Sequence, residues 1–281
     1  MSNVESANTL FHFTGSITYL KSILKNGLYI RYSLETYGEI LENSESLVLP
    51  MTCFCDIPLT RIENHTVKYG EYAIGLSKKW GLKNKVSPVV YTHKNSSTVS
   101  ILNSIISEIE NYFDVTKQEK DLISKRWKLD KKTHPYKNQN QDNKVSSINY
   151  KFGDFLSYIK PYSGEGFSNG NRFEKVRFYD EREWRFVPLK KDVLSFELKD
   201  SYEEEYYTNP IKRRAINMKL AAKMKLEFKP SDISFIVVKE DNEIPKMIDD
   251  LRKIFGSKAT HDELMILNSG LISLEQIMNN L

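Results

Sequence analysis

Three small groups of residues have the types and spacing that chemistry needs. The first is His12 with Thr14, just ahead of an apolar, helically spaced run. Unpaired N–H groups and the positive end of a helix dipole would face that spot, which suits a phosphate or another anion. The plainer alternative for His12 is a partly buried imidazole bonded to a backbone carbonyl. The second group is Thr52-Cys53-Phe54-Cys55-Asp56, with His65, Tyr69 and Tyr72 downstream. Cys53, Cys55 and His65 are metal-ligand types, but their spacing is not the C-x₂-C of a zinc knuckle and no second cysteine pair exists, so no metal is expected. No activating base is identifiable for a cysteine nucleophile, and a small buried strand thiol is the ordinary reading. The third group is Glu181-Arg182-Glu183-Trp184-Arg185. Glu181 and Glu183 have a carboxylate pair's spacing, yet on one strand they would not flank a cleft. Their ordinary reading is a strand edge paired with Arg182 or Arg185.

These residues need elements to hold them. Ile17, Leu20, Ile23 and Leu24 share one helical face, Ser16 or Thr14 offers the N-cap, and Asn26-Gly27 ends the helix. His12 is therefore expected at the end of a strand that feeds this helix. Residues 29–47 show no clear period and read as loop and short helix. A short strand is expected at Met51–Cys55, bracketed by Pro50 and Pro58, and others at Tyr72–Leu76 and Val86–Tyr91. Lys78–Gly81 reads as a helix stopped by glycine. Val99 to Phe113 carries the cleanest amphipathic pattern in the chain. A second helix is expected near 117–127, and 130–147, almost free of aliphatics, reads as an exposed loop. Gly164–Asn171 reads as a long turn or flap without nucleotide-fingerprint spacing. Phe178–Leu189 reads as a half-buried strand, Lys190–Thr208 as solvated surface, Ile211–Met224 as a basic helix and Ile233–Val238 as a central strand.

Strand and helix do not alternate with βαβ regularity, which points to an α+β fold in one domain spanning 1–281, with 97–165 as a helical insertion. The composition allows a substantial core: 281 residues, 40% hydrophobic and 12% aromatic. The net charge of +4 permits nucleic-acid contact without arguing for it. No apolar run approaches a membrane span, and the N-terminus lacks a signal-peptide core, so a cytoplasmic protein is expected. A disulfide between Cys53 and Cys55 is not expected, in keeping with a reducing compartment.

The blocks LFHFTGS…YLKSILKNGL, LPMTCFCDIPL…ENHTVKYGEYAIGLSKKWGL, SPVVY and EREWRFVP resemble the AbiGi family of abortive phage resistance proteins. The resemblance implies a role in phage defence, with a toxin or antitoxin partner. The opening histidine-helix block is also similar, more distantly, to DarT-type DNA ADP-ribosyltransferases and RNA 2′-phosphotransferases. That likeness implies a split, mixed or antiparallel sheet with flanking helices around NAD as substrate, and a nucleic-acid or protein acceptor. It also implies roles. His12 would bond the ribose or carboxamide, and Thr14 would hold a phosphate or ribose. Tyr69 or Tyr72 would stack on nicotinamide. Glu183 would stabilise the oxocarbenium-like charge, and Arg185 would orient Glu183 or bind phosphate. The alternative implied by the AbiGi resemblance is a non-catalytic, antitoxin-like regulator of a partner nucleotidyltransferase toxin.

Overall fold

The structure, a computed structural model, describes residues 8–41, 46–112, 151–168 and 171–280. The expected helix at 117–127 and loop at 130–147 lie outside the described residues. The fold is α+β and centres on nine paired strands. These are β1 (Thr9–Thr14), β2 (Arg31–Glu35), β3 (Leu47–Cys55), β4 (Tyr72–Ser77), β5 (Ser87–Pro88), β6 (Glu183–Phe186), β7 (Tyr202–Glu203), β8 (Ile233–Val238) and β9 (Leu271–Ser273). The main order is β9-β8-β4-β1-β3-β6-β5, and β2 and β7 also pair with β3. All these pairings are antiparallel except β8 with β9.

Alternation along the strands divides the core between two faces. Leu10, Ile74, Leu76, Ile236 and Val238 point one way, towards Leu20 and Leu24 of the helix Ile17–Asn26 and Met247, Leu251 and Phe255 of the helix Ile244–Phe255. Phe11, Ala73 and Val237 point the other way, towards Ile62, Leu274 and Ile277. The antiparallel sheet is thus covered on both faces. A third cluster joins Tyr37, Leu49 and Met51 to Val99, Leu102, Leu156 and Ile159. The helix Ser97–Tyr112 therefore packs its apolar stripe on the sheet.

Strand β3 shapes the site. It is nine residues long, and Pro50 lies inside it rather than at its border. Pro50 pairs with Tyr32 of β2 on one edge, while on the other edge β7 reaches only Leu47 and Val48 and β6 only Thr52 to Cys55. A residue without an N–H is tolerated where no neighbour asks for one. On the first edge, β2 pairs with Leu47 to Met51 and β1 with Cys55 alone. Thr52, Cys53 and Phe54 have no strand partner there, and a cleft opens between β1 and β2.

Several expectations change. Residues 31–35 form β2 instead of a loop. Gly81 lies within the helix Lys78–Lys83 and packs against Leu10, and that helix ends at Asn84. Phe178–Glu181 is a 3₁₀ turn, and strand β6 starts only at Glu183, after Arg182 takes a left-handed conformation with φ of 43°. Residues 151–156 are helical, but Ile159–Pro161 is a strand parallel to Val90–Thr92. In the stretch expected as a flap, the strand Gly164–Ser168 pairs antiparallel with the strand Asn171–Val176. The segment expected as solvated surface contains the helix Lys190–Ser195, with Val193 fully buried.

Candidate functional site

The cleft between β1 and β2 leads into a cavity of about 780 Å³, within the size range of small-molecule sites. His12, Thr14, Tyr69 and Glu183 all line it. They arrive from three elements: the end of β1, the helix Glu63–Tyr69 and the start of β6. Tyr72 does not line it. The Tyr72 hydroxyl donates to Glu243 Oε1 at 3.0 Å and its ring packs on the main core, so it is corrected to a structural residue.

His12 holds the open edge of β3. Its Nδ1 lies 2.8 Å from the Cys53 carbonyl oxygen, which can only accept, so Nδ1 carries the proton. Burial and the nearby Arg31 charge push the imidazole below its ordinary pKa, against the pull of that carbonyl. A neutral ring with its proton on Nδ1 leaves Nε2 as an acceptor. Ser16 is the N-cap of the following helix, its Oγ accepting from the Tyr19 N–H at 3.3 Å.

Behind His12 lies a buried ion cluster. Arg185 is completely buried. Its Nε donates to Glu183 Oε1 at 2.8 Å, and its Nη2 to Glu183 Oε2 at 3.1 Å and Glu35 Oε2 at 3.0 Å. Its Nη1 donates to the Ser157 carbonyl at 2.7 Å. Every guanidinium nitrogen is engaged, so the expectation that Arg185 binds a phosphate is corrected; it orients Glu183. Lys160 donates to Glu183 Oε2 at 2.6 Å and Glu181 Oε2 at 3.2 Å, and sits 4.6 Å from the centre of the Phe178 ring. The Tyr69 hydroxyl donates to Glu181 Oε1 at 2.7 Å, which ties this cavity-lining ring to the cluster. The Tyr91 hydroxyl accepts from the Glu183 N–H at 2.8 Å.

Burial alone would raise the Glu183 carboxyl pKa, but Arg185 and Lys160 outweigh it and hold the group far below the carboxylate range. Its oxygens receive Arg185 twice and Lys160 once. A carboxylate offers about four lone-pair positions, so three charged donors take most of them and hold the group in place. Burial pushes both Cys53 and Cys55 up, and the neighbouring Glu183 and Glu181 push them further. Both are free thiols. Among the described residues no group of three metal-ligating side chains is placed to hold an ion.

Lys160 and Glu35 escaped the sequence reading. Lys160 stands in a strand between Ile159 and Pro161, where a charge signals a buried pair, whereas Glu35 ends the mixed strand Arg31–Glu35 and gives no such local signal. Glu181 was assigned to the strand of Glu183, yet it lies in the preceding 3₁₀ turn and converges on Glu183 through Lys160.

The fold and site define an α+β protein with a neutralised ion cluster at the base of an open cleft. Residues 26–239 match the family described as "Putative abortive phage resistance protein AbiGi, antitoxin". The chain belongs to the AbiGi family. It is 27% identical over 247 residues to the abortive phage resistance protein AbiGi of Lactococcus lactis subsp. cremoris, covering 82% of this chain and 87% of that relative. No solved structure matches the chain, so the likeness to ADP-ribosyltransferases gains no support. Among the described residues no helix is long and apolar enough to cross a membrane.

Proposed function

We propose that this protein is the non-catalytic, antitoxin half of an abortive phage resistance pair, restraining a partner toxin by binding it. The observation that carries this is the state of Glu183. The residue placed to do transferase chemistry is held in charged contacts by Arg185 and Lys160, and so acts as a structural anchor. The family description as an antitoxin points the same way. The partner toxin, expected from the family resemblance to be a nucleotidyltransferase, is tested directly. The chain expressed alone is expected to leave host growth unchanged. Co-expressed with the product of the adjacent toxin gene, it is expected to restore growth and to co-purify with that product. Growth arrest by this chain alone overturns the proposal.

One observation favours a second reading, an NAD-dependent transferase acting on a nucleic-acid or protein acceptor. His12, Thr14, Tyr69 and Glu183 do line one cavity. Nicotinamide release from NAD by the purified protein, lost in Glu183→Gln, would establish it in place of the antitoxin reading.

A further inference from the structure

The charges that line the cavity are not evenly compensated. At its base, Glu35, Glu181 and Glu183 are matched by Lys160 and Lys68 in the lining and by Arg185 behind it, and Glu165 also lines the cavity. At its mouth stand Arg31, at the start of β2, and Arg213, on the helix Pro210–Ala221. Among the described residues neither has a carboxylate partner; Arg213 lies against the Tyr207 ring at 5.3 Å. Guanidinium groups spared from ion pairing are the usual recognition elements for phosphate, which they grip with two parallel N–H bonds.

The walls between mouth and base carry flat aromatic surface and unfilled polar atoms. Tyr19, Tyr29 and Tyr207 line the mouth, and Tyr19 is 64% exposed although it is a large ring. Deeper in, His12 presents Nε2 as an acceptor. Thr52, on the open edge of β3, and His65 also line the cavity, and each holds a buried polar atom, Oγ1 and Nε2, with no hydrogen-bond partner among the described residues. Buried polar atoms are nearly always bonded, so these exceptions call for an explanation.

We propose that the cavity is a binding site for a nucleoside phosphate. Its phosphate would rest on Arg31 and Arg213, its ring against the mouth tyrosines, and its hydroxyl or amino groups on the inner acceptors. Three features select this class. Two arginines without a carboxylate partner among the described residues ask for an anion, the aromatic surface asks for a flat ring, and 780 Å³ is larger than a bare anion needs. The proposal asks nothing of Glu183, which also lines the cavity, and needs no turnover. It does not rest on the antitoxin reading and holds for a protein that only binds.

The test is calorimetric titration of the full-length protein with ADP, GDP, UDP and CDP in turn, beside adenosine and inorganic phosphate. At least one nucleoside diphosphate is expected to bind, at least tenfold more tightly than adenosine. Arg31→Ala and Arg213→Ala should each weaken that binding tenfold or more. Both arginines are at the surface or half-buried, so unchanged melting temperatures would show that the variants fold. Inorganic phosphate should compete at higher concentration. Absence of binding by all four diphosphates overturns the proposal. So does adenosine binding as tightly as the diphosphates, or undiminished affinity in both arginine variants. None of these results bears on rescue from the partner toxin, so the two proposals fail separately.

Discussion

Arg185 grips both carboxylate oxygens of Glu183, the residue two places before it on the same strand, from a position with no solvent exposure. Residues two apart on a strand share a face, and here that face is turned into the protein. The consequence is energetic. Removing one member of a buried pair leaves an uncompensated charge, at a cost of about 3–5 kcal/mol. Glu183→Gln and Arg185→Met are each expected to destabilise the fold by that order in chemical denaturation. Wild-type stability for Glu183→Gln would remove the structural role assigned here and return the residue to catalysis.

Acid should weaken the protein in two stages. His12 and His65 are held neutral, chiefly by burial, which lowers both pKa values. Once unfolded they take up protons below about pH 6.5, while the folded forms resist. Stability is therefore complete above that value and falls as the pH drops towards the depressed folded pKa values. Glu183 follows. Its contribution is intact above the ordinary carboxylate range, about pH 4.3, and is lost as pH falls through the lowered native value. Denaturation midpoints measured from pH 8 down to pH 2 should show both declines. His12→Asn combined with His65→Phe should flatten the first alone.

Gly70 closes the helix Glu63–Tyr69 with φ of 107°, pressed against the backbone at the end of β1. A Cβ added there would stand 2.4 Å from the Thr14 carbonyl oxygen and 2.5 Å from Gly15 Cα. Both neighbours are backbone and cannot turn aside. Gly70→Ala should cost more than about 1 kcal/mol and displace Thr14 from the cavity wall. Thermal melting would register the first effect. Shifted amide resonances at Thr14 and Gly15 would register the second, and a variant identical to wild type would contradict this packing.

Cys53 and Cys55 should be inert in the folded protein. Both thiols are pushed above their ordinary range, by burial first and by nearby carboxylates second. Only the thiolate reacts readily. Treatment with a thiol-reactive disulfide reagent at pH 7.5 should label neither residue in the native state and both in denaturant. Rapid native labelling of Cys53 would point to an activated nucleophile instead.

Local pattern made much of this molecule legible. The helix after His12, its Ser16 cap and its glycine stop follow from apolar spacing and turn chemistry confined to a dozen residues. The central strand β8 and the helix Ser97–Tyr112 follow from the same kind of signal. The bond from His12 to a backbone carbonyl was also open to inference, as the ordinary fate of a half-buried histidine. Most of the site was not. Glu35, Lys160, Glu181 and Arg185 meet across up to 150 residues of chain, and no local periodicity encodes which buried charges will neutralise one another. The strand β3 runs through Pro50 because its neighbours β6 and β7 leave that edge unpaired, a circumstance of tertiary pairing that a rule about proline in strands could not supply. That Glu183 is held by Arg185 and Lys160 was decided in the same way. The sequence by itself determined helices, strands and candidate charges, because those arise from contacts between near neighbours. The tertiary structure alone decided which charges were spent on one another at the base of the cavity and which, Arg31 and Arg213, were left at its mouth, because ion pairing in a buried cluster depends on distances through space rather than along the chain.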